Sequence, residues 1–91
     1  MPRFIIERTI PELGKLSHEE LRAISQKSCD VLNTMGTGIQ WQQSFVTHDK
    51  LYCTYIAASA EQIRDHARRG GFPADVISEI KTVIDPATAE A

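Results

Sequence analysis

The sequence predicts an α+β sandwich in which two helices cover one face of a four-stranded antiparallel sheet. Apolar residues alternate with a period of two in four segments of the chain and recur at helical spacing in two others. These segments follow one another in the order βαββαβ, which a chain of 91 residues can accommodate in one domain. We therefore assign residues 1–86 to a single domain and residues 87–91 to a C-terminal tail.

The first strand and the first helix carry clear local signals. Over residues 3–10, Phe4 and Ile6 fall on one side of the chain and Ile5, Glu7 and Thr9 on the other, which is the period of a strand. Ser17 is a favourable N-cap, and Glu20 three residues later completes a capping box. Apolar residues then recur at helical spacing, and Gly36 stands where a left-handed residue would end the helix. The first helix is thus predicted from Ser17 to Thr34.

A β-hairpin follows the first helix. Residues 39–47 alternate in the manner of a strand, and residues 51–57 are again rich in strand-forming side chains. A short polar turn at residues 48–50 joins the two segments. Simple alternation places Trp41 and Phe45 together on one side of the first hairpin strand, with Val46 on the other.

A shorter helix and a last strand complete the chain. Ser59 can cap the helix, with Gln62 completing a second capping box, and Gly70 and Gly71 stop it. Residues 76–84 alternate and are rich in β-branched side chains, which predicts the fourth strand. The complete topology is that of a ferredoxin-like βαββαβ sandwich with both helices on one face of the sheet.

The face of the sheet that the helices leave open is predicted to be apolar as well. In the second hairpin strand Leu51, Cys53 and Tyr55 lie on one side, yet Tyr52 and Ile56 lie on the other. An exposed apolar face of this kind is typical of a protein interface. We therefore expect a homodimer, in which a second copy covers the sheet or extends its edge.

Composition argues against several classes of function. The formal net charge of −2 provides no general attraction to nucleic acid. No apolar run approaches the roughly 18 residues that cross a bilayer, and the N-terminus lacks the apolar segment of a secretory signal. Cys29 and Cys53 form no C-x-x-C motif and are expected to be reduced thiols in the core. We expect a cytoplasmic protein that contacts neither membrane nor nucleic acid.

Five aromatic residues are candidates for the wall of a small ligand pocket. Rings on the two hairpin strands lie near one another and could surround an apolar space with His66 at its mouth. The candidates are Trp41, Phe45, Tyr52, Tyr55 and Phe72. The alternative is that these rings form the core and the dimer interface. Because the sequence contains no G-x-S-x-G elbow, P-loop or G-x-G-x-x-G fingerprint, we assign no catalytic residue.

Three histidines are the first candidates for a metal site. No H-x-x-x-H or H-E-x-x-H motif brings two imidazoles onto one helical face, so any site has to be assembled across elements. His18 at a helix start and His48 in a turn are expected to be solvated. His66 lies on the Ile63 and Ala67 side of its helix and is the better candidate for a metal ligand or a proton carrier. The alternative is a histidine with one satisfied hydrogen bond.

Four stretches of the chain together resemble a known family. They are MPRFIIER, SFVTHDKLYCTYIA, IRDHARRGGFPADVISEI and VIDP, in this order, and they span nearly the whole chain. The chain resembles a small bacterial and archaeal family of ferredoxin-like proteins, catalogued as a domain of unknown function, that includes an actinobacterial nickel-binding, nickel-responsive protein. The resemblance implies a dimeric ferredoxin-like fold and, for some members, nickel bound through histidines.

The resemblance also implies which residues would hold a metal. His66 carries over by position, and Glu79, in the matching acidic place, would be an oxygen ligand to Ni(II) or another divalent metal. The family's second-helix motif continues with a histidine-proline pair, whereas this chain has Phe72 before Pro73. A phenyl ring cannot replace an imidazole ligand, so this departure weakens or removes the metal site.

Three functions remain open from the sequence. The first is a small dimeric, non-enzymatic protein that binds nickel or another divalent metal through His66. The second is a small-molecule-binding protein or enzyme of the dimeric α+β barrel type, with an aromatic-lined pocket and His66 as acid or base. The third is an interaction module whose function lies in its exposed sheet.

Overall fold

The computed structural model describes residues 1–90, which form four strands and two α-helices. The strands are β1 (Arg3–Thr9), β2 (Ile39–Val46), β3 (Lys50–Ala57) and β4 (Val76–Ile80). The helices are α1 (His18–Asn33) and α2 (Ala60–Gly70), and short 3₁₀ helices occur at Leu13–Lys15 and Pro86–Glu90. The predicted βαββαβ order is confirmed. Ala91, the last residue of the predicted tail, lies outside the described residues.

The sheet has the strand order β2-β3-β1-β4, and all neighbouring strands are antiparallel. Both helices pack on the same face, where α2 places Ile63 in the core and α1 places Leu32 against it. This confirms the predicted α+β sandwich. The core cluster consists of Phe4, Ile6, Ile39, Cys53, Tyr55, Ala57 and Ile63.

The two helices begin differently. At α1 the predicted capping box is present: Glu20 N donates to Ser17 Oγ over 3.1 Å, and Ser17 N donates to Glu20 Oε1 over 3.1 Å. At α2 the predicted box is wrong, because within residues 1–90 the Ser59 hydroxyl makes no capping hydrogen bond. The Gln62 side chain instead bonds to the residue before Ser59: its Oε1 accepts a hydrogen bond from Ala58 N at 3.0 Å.

Neither helix is long and apolar enough to cross a membrane in the described chain.

A β-bulge interrupts the pairing of β2 with β3. Trp41 lies opposite Tyr55, but the next paired residue of β2 is Gln43, opposite Thr54. Gln42 is therefore an extra residue, and side-chain alternation in β2 shifts by one position beyond it.

The bulge corrects the predicted faces of β2. Beyond it Phe45 pairs with Tyr52, on the face of the sheet opposite the helices, which we call the open face. Ser44 and Val46 take the helix side instead. The expectation that Trp41 and Phe45 share a side was wrong, because uninterrupted alternation cannot anticipate an extra residue.

The fourth strand and one cysteine also depart from expectation. β4 ends at Ile80 rather than at residue 84, since Ile80 pairs with Arg3, the first residue of β1, and the partner strand ends there.

Cys53 is buried as expected, whereas Cys29 is exposed because it follows the inward-facing Ser28 on α1. Both thiols are free in the part of the chain that the structure describes.

Candidate functional site

A pocket of about 150 Å³ lies between α1 and the helix side of the sheet. The inward face of α1 carries Ser25 and Ser28 at this level, and these short side chains leave space that larger apolar residues would fill. Most of the lining is aliphatic or aromatic, with a few polar groups, which is the usual character of a small-molecule site. The lining residues are Arg8, Leu13, Leu21, Ile24, Ser25, Ser28, Trp41, Ser44, Val46, Leu51, Cys53, Tyr55 and Phe72.

Arg8 is the one cation in the pocket wall, and it is 2 % exposed. In β1 it occupies an inward position, in phase with the core residues Phe4 and Ile6. Its Nη1 donates to the carbonyl oxygen of Pro73, and its Nη2 donates to Tyr55 Oη over 3.4 Å. No carboxylate of residues 1–90 forms an ion pair with it. The pocket therefore contains a buried positive charge without a counter-ion.

Two aromatic rings hold the Arg8 guanidinium in place. Its Cζ lies 6.0 Å from the ring centroid of Tyr55 and 5.9 Å from that of Phe72, both within the range of cation–π attraction. Burial raises the pKa of Tyr55, although the charge of Arg8 opposes that rise, so the phenol stays protonated at neutral pH. Arg8 is thus restrained by two uncharged rings.

The end of α2 positions Phe72. Gly71 has a left-handed φ of 71°, and Phe72 N donates to Ala67 O over 2.8 Å, so the chain folds back over the last turn. The Phe72 ring then lies so close to Gly70 that a Cβ at Gly70 would overlap it. The sequence Gly70-Gly71-Phe72 therefore ends α2 in a turn that places the Phe72 ring in the pocket wall.

Trp41 also lines the pocket and is fixed by hydrogen bonds. Its Nε1 donates to Ser44 Oγ over 2.9 Å, and Ser44 Oγ donates to Cys53 Sγ over 2.9 Å. Because the chain contains one tryptophan, its fluorescence reports on this pocket.

His66 is 0 % exposed and lies next to the pocket rather than at its mouth. Its Nε2 is 3.2 Å from Ser28 Oγ, and its ring centroid is 5.5 Å from that of Tyr55 and 5.7 Å from that of Phe72. Burial lowers the pKa of His66, and the charge of Arg8 acts in the same direction, so the imidazole is neutral at pH 7. Its Nδ1 is buried and has no hydrogen-bond partner among residues 1–90.

The residues around His66 do not fit a nickel ion. Nickel with nitrogen and oxygen ligands needs several donors at once, and the described residues contain no group of three or more histidine, cysteine or acidic side chains that could hold a metal. Glu79 lies on the edge strand β4, where its Oε2 pairs with Lys81 Nζ at 3.2 Å. The nearby positive charge of Arg8 also opposes a second cation. His18 and His48 are exposed.

The structure separates the five aromatic candidates into two groups. Trp41, Tyr55 and Phe72 line the pocket. Phe45 and Tyr52 pair with each other on the open face, away from the pocket, and Phe45 is 53 % exposed. Their placement in a common pocket is thereby corrected.

Sequence reasoning missed Arg8, although a signal for it was present. In a strand, residues two apart share a face, so a charged residue in phase with Phe4 and Ile6 has to be buried with them. Ser28 carried a similar signal, since it occupies an apolar position of the α1 stripe.

Comparison with known proteins adds two findings. A family model described as "Nickel responsive protein SCO4226-like" matches residues 4–80. The crystal structure of SCO4226 from Streptomyces coelicolor A3(2) superimposes with a TM-score of 0.75 at 19 % sequence identity, covering 90 % of this chain and 99 % of that one. At this identity the structural likeness supports the fold alone. No curated protein matches the chain significantly.

Proposed function

The chain belongs to the family of SCO4226-like nickel-responsive proteins, and from that premise we propose that it is a small ligand-binding protein whose site is the pocket between α1 and the sheet. The observation that carries this proposal is a buried, unneutralised Arg8 in the wall of an otherwise largely apolar cavity. A protein gains no stability from such a combination, because both the empty space and the unpaired charge are unfavourable. A bound molecule would relieve both costs.

Binding is favoured over catalysis by the state of His66. Ser28 and His66 are within hydrogen-bonding distance, as a nucleophile and its base would be. In a catalytic triad a third, acidic group orients the imidazole, but Nδ1 of His66 has no partner in the described chain. Its lowered pKa also makes it a weaker base. The pair serves to fix the Ser28 hydroxyl at the pocket wall.

Titration with two small aromatic probes, benzoate and benzamide, tests the pocket. We expect saturable quenching or enhancement of Trp41 fluorescence with at least one probe, because Trp41 lines the cavity. Ile24→Phe adds volume in the cavity and should abolish that signal. Ala23→Phe adds the same ring on the exposed side of α1 and should preserve it. Absence of saturable binding with both probes, or equal binding to both variants, would contradict the proposal.

Nickel binding through His66 is the competing proposal. The description of the family as nickel-responsive supports it, as does the unpartnered Nδ1 of His66. A site of this kind requires the remaining ligands to come from Glu79 after rearrangement, from water or from a second subunit. We place it second, because His66 is completely buried and Glu79 is already paired with Lys81.

Calorimetric titration of Ni(II) into tag-free protein distinguishes the two proposals. If nickel binds through His66, the His66→Ala variant should lose saturable heat and the His18→Ala variant, at an exposed histidine, should keep it. If the pocket is the functional site, both variants should respond to Ni(II) like the unmodified protein. A loss specific to His66→Ala would reverse the order of the two proposals.

We further propose that a second copy of the chain covers the open face as a homodimer in the cytoplasm. Ile5, Phe45 and Val76 are exposed on this face, and a domain of this size gains much from burying them. Sedimentation at micromolar concentration should give a dimer, which Phe45→Glu should dissociate. A monomer at that concentration would overturn this assembly without affecting the pocket.

A further inference from the structure

We propose that Arg8 makes the pocket selective for a small organic carboxylate, whose apolar body occupies the cavity while its two oxygens bind the guanidinium. This inference rests on the proposed ligand-binding function and names the chemical class of the ligand.

Arg8 differs from the other basic residues in its surroundings. Exposed or half-exposed cations such as Lys50 and Arg68 pair with carboxylates at 2.6 Å and 2.7 Å, although water already stabilises them. Arg8 is almost completely buried and has no such pair among residues 1–90. A buried charge without a partner is strongly unfavourable, so an anion in the pocket would be bound strongly.

Two acidic side chains lie beside Arg8, one as its neighbour in sequence and one through a hydrogen bond to Thr9, and both are already paired or exposed. Glu7, the neighbour of Arg8 in β1, points to the open face and pairs with Lys50 at 2.6 Å. Asp75 accepts a hydrogen bond from Thr9 N at 2.6 Å and is exposed. The described chain therefore supplies no internal anion to Arg8, and the counter-charge has to come with the ligand.

The guanidinium is held in place before a ligand binds, and some of its N–H groups remain free. Of its five N–H groups, two donate to Pro73 O and Tyr55 Oη in the described structure. The rings of Tyr55 and Phe72 restrain it further. A planar guanidinium with free N–H groups matches the two oxygens of a carboxylate, and its prior fixation lowers the entropic cost of binding.

The cavity limits the rest of the ligand. A volume of about 150 Å³ accommodates a molecule about the size of benzene. The other lining residues include Leu21, Ile24 and Trp41, which suit an apolar body. Nucleotides and long acyl chains are too large, and a bare inorganic anion would leave the apolar space empty. A compact monocarboxylate with a ring or a short branched chain satisfies both requirements.

The test compares benzoate with benzamide, which have the same ring and nearly the same shape but differ in charge. We expect benzoate to bind at least about tenfold more tightly than benzamide, as measured by Trp41 fluorescence, because a charge-assisted bidentate pair is lost in the amide. Arg8→Met should weaken benzoate by a similar factor and remove its preference over benzamide, because the neutral amide loses less when the charge is removed. Methionine fills much of the same space without a charge that burial penalises, so this variant should fold, and its urea midpoint measured beside that of the unmodified protein checks this.

Two controls locate the effect at Arg8. Lys27→Met removes another cation near Phe72, at 5.6 Å from its ring centroid, but Lys27 does not line the pocket and benzoate binding should be unchanged. Arg8→Lys keeps the charge without the planar fork and should give an intermediate affinity. Equal binding of benzoate and benzamide, or full benzoate binding by Arg8→Met, would overturn carboxylate selectivity while leaving the pocket intact. Failure of both probes would instead reject the pocket itself.

Discussion

The two helices lie on the same sheet but contribute differently to the protein. α2 buries Ile63, His66, Ala67 and Gly70, so this short helix is closely packed along one face. α1 is longer, yet Ser28 is its buried residue, and its apolar side chains are only half-buried. α2 thus completes the core, whereas the space between α1 and the sheet is not filled and forms the pocket.

Side-chain size explains the contrast. Ala67 and Gly70 allow α2 to approach its neighbours, and the space at Gly70 is filled by the ring of Phe72. On α1 the residues facing the sheet at the level of the pocket include Ser25 and Ser28, whose short side chains leave the space between helix and sheet unfilled. The comparison indicates that stability resides mainly under α2, whereas the proposed ligand site lies under α1.

Truncation in the two helices should show the largest difference. Ile63→Ala removes a completely buried side chain and should lower the free energy of unfolding by about 3 kcal/mol. Ile24→Ala, at the half-buried wall of the pocket, should lower it by about 1 kcal/mol or less. Urea denaturation of both variants measures the difference. Equal losses would show that α1 is packed as firmly as α2.

Gly70→Ala should affect stability and ligand binding together. The added methyl group displaces Phe72, so we expect a loss of about 1–3 kcal/mol and weaker benzoate binding. Gly36→Ala is the matched control, because a methyl group there meets no atom within 4 Å but the φ of 79° is unfavourable for alanine. It should lower stability by about 1 kcal/mol and leave binding unchanged. Unaltered benzoate binding by Gly70→Ala would show that the position of Phe72 does not matter for binding.

Stability should fall with acidification because of His66. Its folded-state pKa lies below the ordinary value of 6.5, so below pH 6.5 the unfolded chain takes up a proton that the folded chain refuses. The contribution is complete above pH 6.5 and is lost as pH falls toward the folded-state pKa. The slope from this group is at most about 1.4 kcal/mol per pH unit.

The groups that face His66 are Ser28 from α1, Tyr55 from β3 and, as a charge, Arg8 from β1. Urea midpoints measured across this pH range should show a shallower dependence in His66→Gln than in His18→Gln, where an exposed histidine is replaced. Parallel curves for the two variants would remove His66 as the origin of acid sensitivity.

The smallest expected effects concern the helix caps, and here the order of the helices reverses. Ser17→Ala removes the observed capping box of α1 and should lower the free energy of unfolding by about 1 kcal/mol. Ser59→Ala at the start of α2 should lower the free energy of unfolding by only a few tenths of a kcal/mol, since its hydroxyl makes no capping bond in residues 1–90. Thermal unfolding of the two variants, compared with Ile24→Ala, would show whether α1 depends more on its cap than on its packing.

Much of the fold followed from local patterns in the sequence. The alternation of Phe4 with Ile5 and the capping box at Ser17 are short-range signals, and the elements they predict are present. The site was less accessible, because Trp41 and Phe45 were separated by a bulge that depends on pairing with a distant strand. The resemblance gave the family correctly, whereas the exposed position of Glu79 depends on where the sheet ends.

Gln42 has a consequence for how such a pocket can change over generations. Loss of a single codon at this point would restore simple alternation in the rest of β2. Because Gln42 is the extra residue, Gln43 would still pair with Thr54 and Phe45 with Tyr52, so Phe45 would stay on the open face and Ser44 in the pocket wall. A one-residue insertion or deletion that no bulge absorbed would instead exchange, for the rest of the strand, what the interior accepts and what the exterior displays.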